Sequence, residues 1–353
     1  MPTPYRPKNS KYLRQSHSGK KAPPTGTDAD LNAMTLAGMF SDEDKAREFL
    51  ESKHWPDGPV CPHCGSVEAY RLTGKAESKN PVPKGTCKCK ACRKKFTVRV
   101  GTIMEDSKLP IRYWLYAIHL MTSSKKGVSS LQISRELEIT PKSAWFMTHR
   151  IREAMRQEPM TGMLKGEVEV DEVYIGGKPR HGSDKSKRGR GTNKQAVLVL
   201  VERNGDAIAT PLYSPNSIAL KQPIREYVDK CSTIFTDEFV SYAGIGNEFI
   251  GGHETVNHSN KEYVRHEENY AIHNNTAESF NALLKRGHYG TFHSLSKKHI
   301  GRYLDEFSFR WKHRGISDGQ RMVKAIEGAD GKRLMYRQPV GKANAGLVAA
   351  KEV

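Results

Sequence analysis

The chain has 353 residues, enough for one sizeable core with one or two small modules beside it. Lysine and arginine number 57 against 39 aspartates and glutamates, a formal charge of +18 that points to a polyanionic partner, most commonly nucleic acid. No stretch approaches the roughly 20 apolar residues that span a bilayer, and the basic N-terminus has no apolar signal region. A membrane partner is therefore not expected, and the chain should work in the cytoplasm on the nucleoid.

Residues 1–40 read as a basic tail, rich in Pro, Ser, Lys and Gly and without an apolar period. The next module, 41–104, opens with a helix from Ser41 to Trp55, with Ser41 as cap, Glu43 and Asp44 in the first turn, and Ala46, Phe49 and Leu50 on one face. Then come two C-x-x-C knuckles, Cys61-Pro-His-Cys64 and Cys89-Lys-Ala-Cys92, separated by residues 65–88. Four converging thiolates make the closed tetrahedral shell of a structural Zn²⁺. Cys87 is a poorer clamp than either knuckle, His63 should face solvent, and Cys231 reads as a core residue. Lys88, Lys90, Arg93, Lys94 and Lys95 suit phosphate contact.

Residues 105–160 read as a helical DNA-binding module with helices at Ile111–Thr122, Ser130–Leu137 and Pro141–Met155. The last two are joined by a short polar turn, as in a helix-turn-helix. Leu131, Ile133, Leu137, Ile139, Ala144 and Ile151 would form its core, and Lys142, Ser143, Thr148, His149, Arg150 and Arg152 its DNA face. The plainer alternative is a helical hairpin with a solvated basic face.

Residues 161–315 change character. Strands are expected at Glu167–Tyr174, Gln195–Glu202, Ala207–Leu212 and Thr233–Phe235, with a fifth at Thr255–Asn257. Helices fall at Ile218–Val228, about Thr276–Arg286 and Ser296–Arg310, the element order of a ribonuclease-H-like mixed α/β sheet. Residues 316–353 read as a C-terminal tail.

The acidic residues of this region carry the chemistry. Asp171 lies in the strand GEVEVDEVYIGGK and Asp237 just after the apolar strand of STIFTDEF. Two aspartates on neighbouring strands can hold a pair of Mg²⁺ (or Mn²⁺) ions for phosphoryl transfer. For the third ligand, Glu278 near the start of a helix is the first choice; Asn274 or Asn275 could supply an amide oxygen instead. Asn275 and Glu278 could equally close a capping box, and Glu267 and Glu268 fall in a presumed loop. Lys285, two turns after Glu278, and its neighbour Arg286 suit DNA phosphate. The loop 178–194, with Arg180, Lys187, Arg188 and Arg190, reads as a salt-sensitive DNA clamp.

Taken together, CPHCGS, CKACRKKFTVRVGTIMEDSKLP, VEVDEVYIGGK, FTDEFVSYAGI and HNNTAESFNALLKRGHYGTFHSLSKKHIGRYLDEFSFRWKHR resemble the ISXO2-like transposases, bacterial insertion-sequence enzymes with an N-terminal zinc ribbon. The resemblance covers about residues 40–315. It implies a ribonuclease-H-like catalytic domain, Mg²⁺ dependence, and cutting and joining of double-stranded DNA at inverted terminal repeats and a target. It carries the catalytic aspartates onto Asp171 and Asp237 and leaves the third position open between Glu278 and the asparagines; Cys87 is extra to the pattern. Pairing two ends implies a homodimer or larger assembly. The rival readings are a nuclease that hydrolyses without joining, and a zinc-ribbon DNA-binding regulator derived from a transposase.

Overall fold

The computed structural model describes residue 28 and residues 31–73, 81–156, 163–176, 194–213, 216–256, 264–266 and 271–335. The clamp residues Arg180, Lys187, Arg188 and Arg190, and also Glu267 and Glu268, lie outside the described residues.

The first helix, α1 (Ala33–Met39), falls inside the stretch read as a tail. Asn32 caps it by accepting from the Met34 and Thr35 amides. Leu36 is fully buried, and the Phe40 ring meets Phe49 edge-on at 5.4 Å. Two buried side chains on two turns are too few to register as a period. In α2 (Glu43–His54) the cap is Asp42, one residue beyond the expected Ser41. The strands β1 (Ala69–Arg71), β2 (Cys87–Cys89) and β3 (Lys95–Phe96) form a small antiparallel ribbon. Helices α3 (Ile111–Ser123), α4 (Ser130–Glu136) and α5 (Pro141–Met155) follow close to their expected positions. Pro141 takes the first turn of α5 after the Thr140 cap, where its missing N–H costs nothing.

The second half is built on a five-stranded sheet. β4 (Glu167–Ile175), β5 (Gln195–Glu202) and β6 (Ala207–Leu212) form an antiparallel meander. After α6 (Ser217–Tyr227), the chain adds β7 (Thr233–Asp237) parallel to β4 and β8 (His253–Val256) parallel to β7. The resulting order β6-β5-β4-β7-β8 is a ribonuclease-H-like mixed sheet. A short hairpin, β9 (Arg265–His266) and β10 (Ala271–Ile272), leads to α7 (Asn275–Gly287), α8 (Ile300–Lys312) and α9 (Asp318–Glu327).

Strand alternation decides which helix covers which face. Val168, Val170, Leu198, Leu200 and Ile234 pack with Leu220 and Ile224 of α6 on one side. Val173, Val197, Val199 and Val201 pack with Phe280, Leu284, Leu304 and Phe307 of α7 and α8 on the other. The C-terminal stretch is likewise more than a tail. Ser317 and Gln320 close a capping box on α9, whose Met322, Ala325 and Ile326 join the N-terminal core and pack on α3. No helix of the described residues is long and apolar enough to cross a membrane.

α8 belongs to both cores, giving Leu304 and Phe307 to the sheet and Phe309 to the N-terminal unit. At that junction Arg152 of α5 donates to Glu306 at 2.6 Å, and Arg310 pairs with the same carboxylate. Arg152 and Glu306 are fully buried, and the Arg152 guanidinium lies 4.0 Å from the Tyr303 ring centroid. Removing the carboxylate would strand two cations in a dry interface. Glu306→Ala should therefore cost about 3–5 kcal/mol in urea denaturation, far more than a surface ion pair.

Candidate active site

The ribbon brings Cys61, Cys64, Cys89 and Cys92 together, with all four sulfurs within 4.8 Å of one another. Among the described residues this is the only group of three or more metal-ligating side chains so tightly gathered. The Cys92 amide donates to the Cys89 sulfur at 3.4 Å, the knuckle hydrogen bond that helps hold the Cys89 thiol down to about 6. Four thiolates with no open position fit a structural Zn²⁺. Cys87 is excluded from the set. It is fully buried opposite Phe96, and burial pushes its thiol up. His63 and the basic residues Lys90, Arg93, Lys94 and Lys95 are exposed, as expected. Cys231 is exposed rather than in the core; it lies in the turn between α6 and β7, where its amide donates to Asp229 at 2.9 Å.

The helical pair keeps its expected core except at Leu131, which is 58% exposed. Its expected DNA face is largely turned inward. Thr148, His149, Arg150 and Arg152 are all buried. Arg150 donates to the carbonyls of Glu105 and Leu334 and lies over the Phe146 ring at 4.8 Å, so it is a packing residue and not a DNA contact. The segment after α9, invisible to local pattern, covers that side. Lys142 is exposed on the first turn of α5, the part of such a helix that meets base edges.

The acidic centre assembles on the α7 face of the sheet. In the parallel pairing Glu169 stands opposite Phe235, so two residues further on Asp171 is level with Asp237. Both follow the alternation that aims them at α7. Asp171 is held at both oxygens: the Glu172 amide donates to Oδ1 and the Asn281 side chain to Oδ2, each at 2.7 Å. Burial, with the added charges of Asp237, Glu278 and Glu172, raises its carboxyl to about 6. Beneath the strand the buried Tyr242 hydroxyl donates to Glu172 at 3.2 Å, and burial with the charges of Glu172, Asp237 and Asp171 holds its phenol well above the usual range. Carboxylates that repel one another in a half-buried cleft form the hard, all-oxygen donor set that suits Mg²⁺ or Mn²⁺.

What sets α7 over these aspartates is a residue that sequence patterning overlooked. Glu169, fully buried, accepts from the Thr276 and Ala277 amides at 2.7 and 2.9 Å and from the Thr276 hydroxyl at 3.0 Å. It therefore caps α7 from another strand, and the N-cap residue Asn274 makes no side-chain cap. Asn274 instead donates to the Val170 carbonyl at 3.0 Å and is buried. Arg203 completes the knot. It pairs with Glu169 and Glu167, both at 2.7 Å, donates to the carbonyls of Ala271 and His273, and lies over the Phe235 ring at 4.2 Å. His273 Nδ1 is 3.0 Å from Glu169. A capping box between Asn275 and Glu278 is thus not formed: both side chains are exposed, with Asn275 already in the first turn. Lys285 and Arg286 are exposed in the last turn.

Residues 163–312 match the ISXO2-like transposase domain and residues 41–95 the transposase zinc-ribbon domain. The chain belongs to the ISXO2-like transposases. A relative of this transposase is the protein of transposable element ISH50 from Halobacterium salinarum, 26% identical over 283 residues that span 77% of this chain and 91% of the relative. Among solved structures, the Mos1 strand transfer complex matches at a TM-score of 0.26 and 14% identity, and the Mos1 paired-end complex with the left transposon end at 0.23 and 14%. Each match covers 65% of the transposase and 82% of the Mos1 chain.

The perturbed aspartate carries a stability signature. Its folded carboxyl titrates at about 6 against 3.8 unperturbed. The folded state is thus favoured while Asp171 is protonated, and that advantage is lost as the pH rises through about 6. In metal-free buffer at pH 7.5, Asp171→Asn should raise unfolding free energy by up to about 3 kcal/mol, and the gain should vanish near pH 4.

Proposed function

We propose that this transposase binds the inverted terminal repeats of its insertion sequence and carries out Mg²⁺-dependent strand cleavage and strand transfer. The observation that supports this most is the level placement of Asp171 and Asp237 on adjacent strands, facing the helix that carries Glu278. Asp171, Asp237 and Glu278 would hold the divalent ions. Bound there, the ions supply positive charge against the phosphoryl oxygens and make a water or hydroxyl nucleophilic at neutral pH.

The chain's own groups do the positioning. Asn281 fixes one oxygen of Asp171, so the carboxylate is held in one orientation for the ion it would ligate. Lys285 and Arg286 hold the phosphates of the bound strand two turns along α7. Water attacks the phosphodiester at the transposon end and the bond to the 3′ oxygen breaks, leaving a 3′-hydroxyl and a 5′-phosphate. That hydroxyl then attacks a target phosphodiester in the same site. One phosphodiester is exchanged for another, so the joining step needs no covalent protein intermediate and no external energy source. The zinc ribbon, through Lys90, Arg93, Lys94 and Lys95, and the first turn of α5, through Lys142, would recognise the ends. Because two ends must be joined together, the working form would be a homodimer or larger.

Of the candidates for the third ligand, Glu278 is favoured. Its charge acts on Asp171, and Glu169 already occupies the capping role that would otherwise explain it. Strand transfer with a terminal-repeat duplex and Mg²⁺ tests this. Asp237→Asn and Glu278→Gln should each lose on the order of 10³-fold, whereas Asn275→Ala should stay near wild type. Activity retained in Asp237→Asn would sink the assignment. Cleavage without joining would leave a nuclease, and binding without cleavage a regulator.

A further inference from the structure

From Ser279 to Leu304 there is no aspartate or glutamate, while Lys285, Arg286, Lys297, Lys298 and Arg302 are joined by three histidines. The middle of this stretch is a built surface feature. α7 runs on into a π-helical turn, His288–Phe292, closed by the His293 amide donating to the His288 carbonyl at 2.7 Å. His293 leaves the turn at φ 55° and ψ −40°, a costly backbone position for a residue with a Cβ. Such turns and such strain gather at working sites.

The turn is anchored from below. The Phe292 ring packs edge-on against Tyr303 and Phe307 and fills the space at Gly127, where a Cβ would come within 2.5 Å of it. Phe292 faces inward, and Tyr289 faces outward, 59% exposed, with its ring 4.8 Å from that of His288. Two exposed lysines lie beside the start of the turn: Lys126, whose carbonyl abuts Gly287, and Lys285 in the preceding turn of α7. Lys194 acts on His288 and packs against Gly176, so the two ends that bound the basic loop meet beside this turn.

An exposed ring beside exposed lysines, in a stretch of chain without acids, suits phosphates beside a base whose face is accessible. Inside a duplex every base is stacked on both sides and a flush end offers only its last pair, whereas a single-stranded end offers unpaired bases with free faces. We propose that the turn His288–Phe292 is a DNA-docking surface, where Tyr289 stacks on an unpaired base at a strand end while Lys126, Lys285 and Arg286 hold the adjoining phosphates. The proposal rests on the reading of the chain as a transposase that handles cut DNA ends.

The test is fluorescence anisotropy of the full-length, zinc-loaded protein without Mg²⁺, using a flush duplex and the same duplex with a short single-stranded 3′ overhang. Tyr289→Ala should weaken overhang binding by about 5- to 150-fold and leave flush-duplex binding unchanged, and Tyr289→Phe should restore the overhang preference. Lys285→Gln should weaken both probes and lower the salt slope by about one. Equal binding of the overhang probe by wild type and Tyr289→Ala overturns the surface alone, as does an equal loss on both probes. Failure of the wild type to bind either probe overturns the transposase reading as well.

Discussion

A single buried carboxylate holds the candidate active site together. Glu169 shares a strand and a face with Asp171, yet it reaches α7 more than a hundred residues later and caps its first turn. A charged acceptor on two helix amides is among the stronger hydrogen-bonded arrangements a protein can make, and the helix dipole adds to it. Burial of the charge is tolerable because Arg203 lies against it and every oxygen has a donor. Arg203 also stacks on Phe235, two residues before Asp237. The knot thereby fixes β4, β7 and α7 relative to one another, and with them Asp171, Asp237 and Glu278.

The same frame links the acidic centre to the N-terminal unit. α8 lies in both cores, and the Arg152–Glu306–Arg310 cluster marks their junction. Glu306 is the carboxylate shared by both arginines, so the contact of α5 with α8 hangs on one buried negative charge. The zinc ribbon has its own small sheet and contributes Cys61, Cys87 and Cys89 to that N-terminal core. The N-terminal unit is thus packed against the helical layer of the sheet through α5 and α8.

Local signals account for what was legible beforehand. Gln195–Glu202 is apolar at nearly every position because β5 is buried on both faces, and such a run marks its own ends. The C-x-x-C spacing identified the four sulfurs, and Thr140-Pro141 marked the start of α5. Asp237 was legible as a strand-end acid and does end β7, whereas Asp171, read the same way, lies at the middle of β4. Glu169 was not legible, because an acid alternating with valines describes the wet face of a sheet equally well, and only α7 folding back makes that face interior. Arg150 misled for the same reason: a basic helix residue reads as a contact until the segment around Leu334 is seen to cover it. Asn281 carried no signal of its own, one helical turn past the better-known acid, although i, i+3 spacing from Glu278 put it on the same face.

If Glu169 governs the site through α7, its loss should be felt by ions it never touches. Mn²⁺ titration followed by electron paramagnetic resonance, on zinc-loaded wild type and Glu169→Gln of matched circular dichroism, measures this directly. The account predicts clear Mn²⁺ binding in the wild type and a marked loss of affinity in Glu169→Gln, because the glutamine cannot serve both the α7 amides and Arg203. Equal affinity in the two proteins would contradict it.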